Sequence, residues 1–203
     1  MHSQNTTTEL HRLLQTRNEH PERIAEIDAK IHAIFAETHA ILVLDMSGFS
    51  RLTIRHGITH FLAMIHRLSA IATPLVEQHQ GTVVKQEADN LFAVFPEVAS
   101  AVSAAIDILK SLAVVNSGLP DAMDLHASIG IGYGEVLLVA GKDLYGNEMN
   151  LASKLGEDLA RSNEILLTES AFQQLQSTTW ACEAIELSVS GLELTAYQVQ
   201  FSK

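Results

Sequence analysis

The chain has 203 residues, of which 47% are apolar and 18% charged, enough for one catalytic-size domain with a full hydrophobic core. Its 24 acidic and 13 basic residues give a formal net charge of −11, which disfavours a nucleic-acid binder and a protein held on an anionic membrane. The single cysteine, Cys182, excludes an internal disulfide and a cysteine-based zinc site. We see no secretory signal and no apolar run of the ~20 residues that a membrane span needs, so we expect a cytoplasmic location.

The first 39 residues predict a helical region ahead of the main domain. Two helices are expected at about 9–18 and 22–37, and Pro21 between them suits a helix start. The second helix carries isoleucines at the 3-4-3 spacing of a short coiled-coil seam, namely Ile24, Ile27, Ile31 and Ile34. This seam fits equally well with packing on the same chain and with dimerisation, so both interpretations stay open.

Residues 40–203 predict a second region in which strands and helices alternate. We expect strands at 40–45, 82–85, 90–95, 124–134 with 135–140 pairing back on it, 164–168, 181–188 and 193–200. We expect helices at 58–78, 97–115, 148–160 and 170–176. The order strand, helix, strand, strand, helix, strand is the βαββαβ plan of a ferredoxin-like fold. The sequence therefore predicts an α+β fold, with an antiparallel-rich sheet and helices on one face.

Two aspartates fall where this topology brings strand ends together. Asp45 ends the first buried strand, and Asp89 lies at the tip of the 82–95 hairpin. Because this hairpin can neighbour the first strand, the two carboxylates can converge, which suits one or two Mg²⁺ ions. Backbone N–H groups in the turn after Asp45 could receive phosphate oxygens. Taken alone, an aspartate before Ser-Gly is more typical of a turn or a helix cap, and the alternative for the pair is two turn residues exposed to water.

Four blocks of the sequence resemble the catalytic domains of class III adenylate and guanylate cyclases, in the same order and spacing. The blocks are VLDMSGFSRLT (43–53), GTVVKQEADNLFAVF (81–95), ASIGIGYGEV (127–136) and DLYGNEMNLASKLGEDLA (143–160). The resemblance covers roughly residues 40–200. It implies an enzyme that binds a nucleoside triphosphate, ATP in the first place, and converts it to cyclic AMP and pyrophosphate. It also implies a head-to-tail homodimer, with the metal aspartates from one chain and the Asn150 helix from the other.

The resemblance assigns the cation and phosphate sites residue by residue. Asp45 and Asp89 match the family's two metal-binding aspartates, so the implied cofactors are two divalent cations, Mg²⁺ or Mn²⁺. The turn after Asp45 lies in the first of these blocks, and its backbone N–H groups are expected to receive the substrate's phosphates, with Met46, Ser47, Gly48 and Phe49 as the candidate substrate-binding residues.

The same resemblance assigns the base and ribose sites. Lys85 and Asp143 match the pair that reads adenine, and a donor with an acceptor suits the N1 atom and the amino group of that base. Asn150 matches the asparagine that positions the ribose. Lys154, four residues later, stands where the family has a transition-state arginine.

Three residues depart from the family pattern. Lys154 supplies a point charge without the planar fork of an arginine. Ser190 stands where the family usually has a phosphate-binding lysine, and Ala88 replaces the glycine before the second aspartate. If that position needs a positive φ, alanine costs about 1 kcal/mol there.

These departures keep an alternative open: a degenerate cyclase domain that binds a nucleotide, or only dimerises, and so regulates a partner. An RNA-binding module on the same type of sheet is disfavoured, because the hairpin strands are aliphatic and the net charge is negative. Among the remaining residues, we expect Phe49, Phe92 and Phe95 in the core and Glu157 with Asp158 on a solvated helix face. The ten histidines are expected to be ordinary surface or core residues.

Overall fold

The computed structural model describes residues 4–47, 57–120, 123–175, 180–189 and 192–202. Two helices open the chain, α1 (Thr7–Glu19) and α2 (Ile24–Phe35), with a 3₁₀ turn over Pro21–Arg23 between them. Thr6 caps α1, since its hydroxyl accepts a hydrogen bond from the Glu9 N–H at 3.1 Å. The predicted helix 22–37 is two residues too long, because the first strand already begins at Ala36.

The remaining described elements build a mixed α+β fold around an eight-stranded sheet. The strands are β1 (Ala36–Met46), β2 (Thr82–Glu87), β3 (Asn90–Phe95), β4 (Ala127–Val139), β5 (Asp143–Tyr145), β6 (Ile165–Leu167), β7 (Ala181–Val189) and β8 (Leu192–Gln200). The helices are α3 (Ile58–Gln78), α4 (Val98–Asn116), α5 (Asn147–Ser153) and α6 (Glu169–Gln174). A π-helical turn, Lys154–Leu159, directly follows α5.

The strand order in the sheet is β2-β3-β1-β4-β6-β8-β7, and β5 pairs with β4 beside this path. β1 lies between β3 and β4 and is antiparallel to both, whereas β4 and β6 are parallel. The first four strands with α3 and α4 therefore form the predicted ferredoxin-like βαββαβ unit. The closing antiparallel pair, β7 with β8, is also confirmed.

One face of the sheet, the core face, is covered by α3 and α4. Its cluster of buried side chains includes Leu42, Leu44, Phe95 and Ile129, and Phe95 is confirmed as a core residue. Among the described helices, α4 alone is long and apolar enough to cross a membrane, with a mean hydropathy of 1.8. Half of that helix is buried against the rest of the fold, so the core accounts for its apolar composition.

The other face, the open face, carries α5 and the π-helical turn, so the prediction of helices on one face only is wrong. The open face has its own small apolar cluster, which includes Ile41, Val43, Phe92 and Ala152, and Phe92 is buried there as predicted.

A strip of glycines in β4 lets α5 approach this face closely. A Cβ on Gly132 would lie 2.7 Å from the Glu148 carbonyl oxygen, and one on Gly134 would lie 2.7 Å from the Glu148 Cγ. These glycines allow the close contact with α5 and do not form a turn. β4 consequently runs unbroken to Val139, and the predicted hairpin of 124–134 with 135–140 is wrong. The strand that folds back on β4 is β5.

The N-terminal helices pack on the far end of β4. Their cluster of buried side chains comprises Leu10, Leu13, Ile27, Ile31, Phe35 and Val139. Ile27 and Ile31 of the predicted seam are only 3% and 4% exposed within this single chain. The seam therefore packs on its own chain.

Candidate active site

The strand register brings Asp45 and Asp89 to neighbouring strand ends. Asp45 is paired with Asn90, the first residue of β3, and Asp89 directly precedes Asn90 in the β2–β3 turn. Residues opposite each other in an antiparallel pair have Cβ atoms about 4.5–5.5 Å apart and lie on the same face. Asp45 and Asn90 thus share the open face, with Asp89 one residue away.

The turn that carries Asp89 is strained. Glu87 pairs with Asn90, so only Ala88 and Asp89 connect β2 to β3. Ala88 has φ 50°, in the left-handed region that favours glycine. The structure thus has a positive φ at the position where the sequence analysis raised that question. An alanine in this conformation lowers the stability of the folded protein by about 1 kcal/mol.

The electrostatic setting of Asp45 is negative. Its pKa is raised to about 7, first by burial and then by the charges of Asp89, Glu157 and Asp158. Among the described residues, no three His, Cys, Asp or Glu side chains converge as a metal cage. The aspartate pair would therefore leave most coordination positions of a cation to other oxygens.

Glu157 lies near Asp45 and Asp89 because its neighbour Gly156 contacts the backbone of β1, a contact that the sequence did not predict. A Cβ on Gly156 would lie 2.9 Å from the Val43 carbonyl oxygen, so the π-helical turn rests directly on β1 two residues before Asp45. Burial raises the pKa of Glu157, a hydrogen bond from Ser153 opposes the shift, and the charges of Asp158 and Asp89 add to it. Glu157 and Asp158 are exposed as predicted, but they form an acidic rim beside Asp45.

Lys85 and Asp143 form an ion pair with 2.8 Å between the Lys85 Nζ and an Asp143 carboxylate oxygen. Lys85 also contacts Glu87 at 3.0 Å, and its ammonium lies 4.9 Å from the centre of the Phe92 ring. Burial by itself lowers the pKa of Lys85, but hydrogen bonds to Asp143 and Glu87 outweigh it and raise the pKa. The two residues that the resemblance assigns to base reading are therefore brought together within one chain.

Asp143 is held by three donors. Besides Lys85, it accepts hydrogen bonds from the Tyr145 hydroxyl at 2.5 Å and from the Leu144 N–H at 2.9 Å. Burial alone would raise the pKa of Asp143, yet these donors lower it. The carboxylate is thus fixed in its ionised form as an acceptor.

Asn150 and Lys154 lie one helical turn apart, because the Lys154 N–H donates to the Asn150 carbonyl. The Asn150 side chain is exposed. The Lys154 ammonium lies 3.7 Å from an Asp158 carboxylate oxygen, in a loose ion pair whose lysine side chain is 32% exposed. Lys154 therefore has a local competitor for any anion it would bind.

Glu148 anchors α5 to its surroundings, a role that the sequence did not suggest. Its carboxylate accepts hydrogen bonds from the Thr168 hydroxyl at 2.9 Å, the Ser170 hydroxyl at 3.0 Å and the Tyr133 N–H at 3.3 Å. These bonds tie the first turn of α5 to β4 and to the start of α6. The helix that carries Asn150 is consequently fixed at its N-terminal end.

The predicted phosphate turn is described only at its start. Met46 is 1% exposed and belongs to the core cluster, so its side chain faces away from the open face. The Ser47 N–H donates to the His126 carbonyl at 2.9 Å and is not available for a phosphate in this structure. Gly48, Phe49 and Ser190 lie outside the described residues.

Comparison with known proteins identifies the family. The model of the adenylate and guanylate cyclase catalytic domain matches residues 33–200. A Rhizobium meliloti (strain 1021) protein named "Putative adenylate cyclase 3" is 28% identical over 140 residues, which are 69% of this chain and 24% of that protein. The chain thus spans about a quarter of that relative's length.

Solved structures agree on the fold. An adenylate/guanylate cyclase/hydrolase from Silicibacter pomeroyi is 24% identical with a TM-score of 0.70, covering 82% of this chain and 98% of that one. The guanylate cyclase domain of RhGC from Catenaria anguillulae, in complex with GTP, is 18% identical with a TM-score of 0.68, covering 82% and 98%. The chain belongs to the adenylate and guanylate cyclase catalytic domain family, as the four sequence blocks predicted.

Proposed function

We propose that this chain is an adenylate cyclase that converts ATP to cyclic AMP and pyrophosphate. Membership of the cyclase family supports the reaction class. The observation that carries the choice of ATP is the ion pair between Lys85 and Asp143. A fixed cationic donor beside a fixed anionic acceptor complements the N1 atom and the amino group of adenine, whereas guanine presents the opposite pattern at those positions.

In the proposed reaction the 3′-hydroxyl of ATP attacks the α-phosphorus and pyrophosphate leaves. Two divalent cations, Mg²⁺ or Mn²⁺, would be held by Asp45 and Asp89. When bound, they offset phosphate charge and favour ionisation of the 3′-hydroxyl. The fit of these residues to a cation is supported by a buried orphan atom, since the Asn90 Oδ1 beside Asp45 has no hydrogen-bond partner among the described residues.

The other proposed residues bind and orient the substrate. Lys85 and Asp143 hold the adenine, and Asn150 holds the ribose so that its 3′-oxygen points at the α-phosphorus. Lys154 donates from its ammonium to the α-phosphate region as negative charge develops there. It must first leave Asp158, a loose contact that costs little at 3.7 Å.

We also propose that the active form is a head-to-tail homodimer, located in the cytoplasm. Asp45 and Asp89 would come from one chain, and Asn150 with Lys154 from the other. The exposure of Asn150 on α5 leaves it accessible to a second chain, which supports this arrangement. A mixture of Asp45→Ala and Asn150→Ala proteins should regain activity, because one site of the mixed dimer is wild type throughout. No recovery despite confirmed subunit exchange would contradict shared sites.

The reaction is tested with the purified chain, Mn²⁺ and each of the four nucleoside triphosphates, with any cyclic product identified by mass. We expect cyclic AMP from ATP and little product from GTP, because the mismatched base leaves Lys85 and Asp143 without their partners. Asp45→Asn is the matched inactive control. Equal turnover of ATP and GTP would contradict the base assignment.

A degenerate domain that only binds nucleotide or dimerises is the second candidate. The positive φ of Ala88 beside Asp89 favours it, together with the lysine at the arginine position. In that case no nucleotide would give product above the Asp45→Asn background, while ATP would still raise the melting temperature of the protein.

A further inference from the structure

One side-chain oxygen on the open face has no partner within the described part of the chain. The Asn90 Oδ1 is inaccessible to solvent and accepts no hydrogen bond from any described residue. A buried polar atom without a partner destabilises the folded protein, so its retention calls for a ligand or a functional role. An apolar side chain of similar shape would avoid this cost.

The position of Asn90 points to that ligand. Asn90 is paired with Asp45 across β1 and β3, on the same face, and it directly follows Asp89. Cβ atoms about 4.5–5.5 Å apart allow the two side-chain oxygens to approach to ~3 Å. That is the separation of neighbouring oxygens around a cation whose metal–oxygen distances are 2.0–2.1 Å.

The chemistry of an amide oxygen suits this place. Mg²⁺ and Mn²⁺ prefer oxygen ligands, and a neutral carbonyl can coordinate beside carboxylates without adding negative charge. Asp45 already has Asp89, Glu157 and Asp158 as negative neighbours. A third carboxylate ligand would add to this repulsion in the metal-free protein, whereas an amide does not.

We propose that Asn90 supplies a neutral third protein ligand, its Oδ1, to the divalent cation held by Asp45 and Asp89. This inference rests on the proposed function, because it assumes the cation site of a cyclase. It makes the site a carboxylate, carboxylate and amide set that spans the β2–β3 turn and the end of β1. The unpaired oxygen is then a metal ligand, and the metal-free protein is less stable because this oxygen lacks a partner.

The test measures Mn²⁺ binding to the full chain by calorimetry, without nucleotide, in three variants. Asn90→Leu removes the oxygen at similar size, and we expect Mn²⁺ affinity to fall by about tenfold or more. Asn90→Asp keeps an oxygen at this place, and we expect binding at least as tight as in the wild type. Gln86→Leu is the matched control, because Gln86 is exposed on the same hairpin but pairs with the core-face residue Leu91, and its affinity should not change.

The melting temperature of the metal-free protein separates this role from a structural one. Asn90→Leu should raise it, since the variant removes an unpaired buried oxygen, so stability and Mn²⁺ affinity should change in opposite directions. If Asn90→Leu instead lowers the metal-free melting temperature and leaves Mn²⁺ affinity unchanged, Asn90 is a structural residue and the proposal is overturned.

The Asp45→Asn variant distinguishes a failure of the proposed Asn90 role from a failure of the cation site itself. Loss of Mn²⁺ binding in Asp45→Asn with full binding in Asn90→Leu would overturn only the role of Asn90. Full binding in both variants would overturn the cation site of the proposed function as well.

Discussion

Asp143 and Asp45 are both site residues predicted from the sequence, yet the charges around them have opposite signs. Asp143 lies 2.8 Å from the Lys85 ammonium and accepts two further hydrogen bonds, so its pKa is lowered. Asp45 has no cationic partner among the described residues, and burial with three carboxylates raises its pKa to about 7. Asp143 has its counter-charge in Lys85, whereas Asp45 has none within the described ranges of the chain.

The two aspartates therefore differ in whether their negative charge is already neutralised in the ligand-free protein. The Lys85–Asp143 ion pair is formed without a ligand, so under the proposed function it would select a base without rearranging. The Asp45 site repels a further negative charge and would gain from any cation that offsets it. We therefore expect changes at Asp45 to act through metal binding and changes at Lys85 or Asp143 to act through nucleotide choice.

The largest expected effect comes from Asp45→Asn, which keeps the shape but removes the charge. Cyclase turnover should fall by at least about 10²–10³-fold, the scale of losing one preorganised electrostatic contact. Glu77→Gln, which removes a carboxylate charge on the exposed side of α3, is the control and should keep turnover at the wild-type level. Initial rates with Mn²⁺ and ATP measure both, and an active Asp45→Asn protein would contradict the assignment.

Lys154→Ala is expected to lower turnover by about 10²–10³-fold with little change in KM, because its contact is made mainly in the transition state. Lys154→Arg should hold or raise turnover, since the planar fork offers more donors. Lys110→Ala, an exposed lysine on α4, is the control and should behave as wild type. A rise in KM without loss of kcat would show that Lys154 binds the ground state and the transition state equally, which would contradict this role.

Reversing the base-reading pair should change nucleotide choice more than total activity. Lys85→Glu combined with Asp143→Cys replaces the donor by an acceptor and removes the anionic acceptor. We expect the ratio of ATP to GTP turnover to fall by about 10–100-fold, as for one or two buried hydrogen bonds left unpaired. The ratio is measured from kcat/KM for both nucleotides, and an unchanged ratio would place base recognition elsewhere.

The pH dependence of the metal-free melting temperature should reveal the raised pKa of Asp45. With a folded pKa of about 7 and an unfolded value of ~3.9, the folded state binds the extra proton between these values. This contribution to stability is complete below pH ~4 and is lost as the pH rises through 7. Asp45→Asn should remove that decline, and Mn²⁺ should reverse it by stabilising the ionised form. A decline that persists in Asp45→Asn would assign it to another group.

The smallest expected effect is that of Ala88→Gly. Relief of the positive φ should stabilise the protein by up to about 1 kcal/mol, or roughly 2–4 °C in melting temperature. Gln80→Gly is the matched control, because Gln80 also has a positive φ, 64°, but lies before β2 and away from the site. Both variants should gain stability, and only Ala88→Gly should change Mn²⁺ affinity.

The βαββαβ core was predictable because each element has a local signal. Burial of side chains alone produces two of these signals, namely the apolar run 40–45 and the helical spacing of apolar residues in 58–78. The pairing of Asp45 with the Asp89 hairpin followed from topology rules, since sequential strands tend to be neighbours. The resemblance of four sequence blocks to the cyclase family then implied roles for the site residues, which residue spacing alone does not indicate.

The errors arose where distant backbone decides the conformation. Gly134 followed by Glu135 has the form of a turn, but Gly134 lies under Glu148 of α5. Likewise, the end of 148–160 was predicted as plain helix, whereas Gly156 rests on the Val43 carbonyl within a π-helical turn. The glycines at every second position of β4 show a strand pattern without indicating which element packs on them, and the contact of Gly156 leaves no pattern at all. Glu157 beside Asp45 and the unpaired Asn90 oxygen depend on the same tertiary arrangement.

The glycine strip of β4 has a consequence for how this chain tolerates mutation. Gly130, Gly132 and Gly134 lie against the backbone or side chains of α5 and the π-helical turn, with no space for a methyl group. A substitution at Asp45 or Asn150 is expected to act on the proposed site and to leave the fold in place. A substitution as small as alanine at Gly130 pushes on the Gly156 nitrogen, 2.6 Å from the new Cβ, and displaces the segment on which the site is built. In a complete mutational scan scored for folded protein, the positions of lowest tolerance should therefore lie beneath the site and not within it.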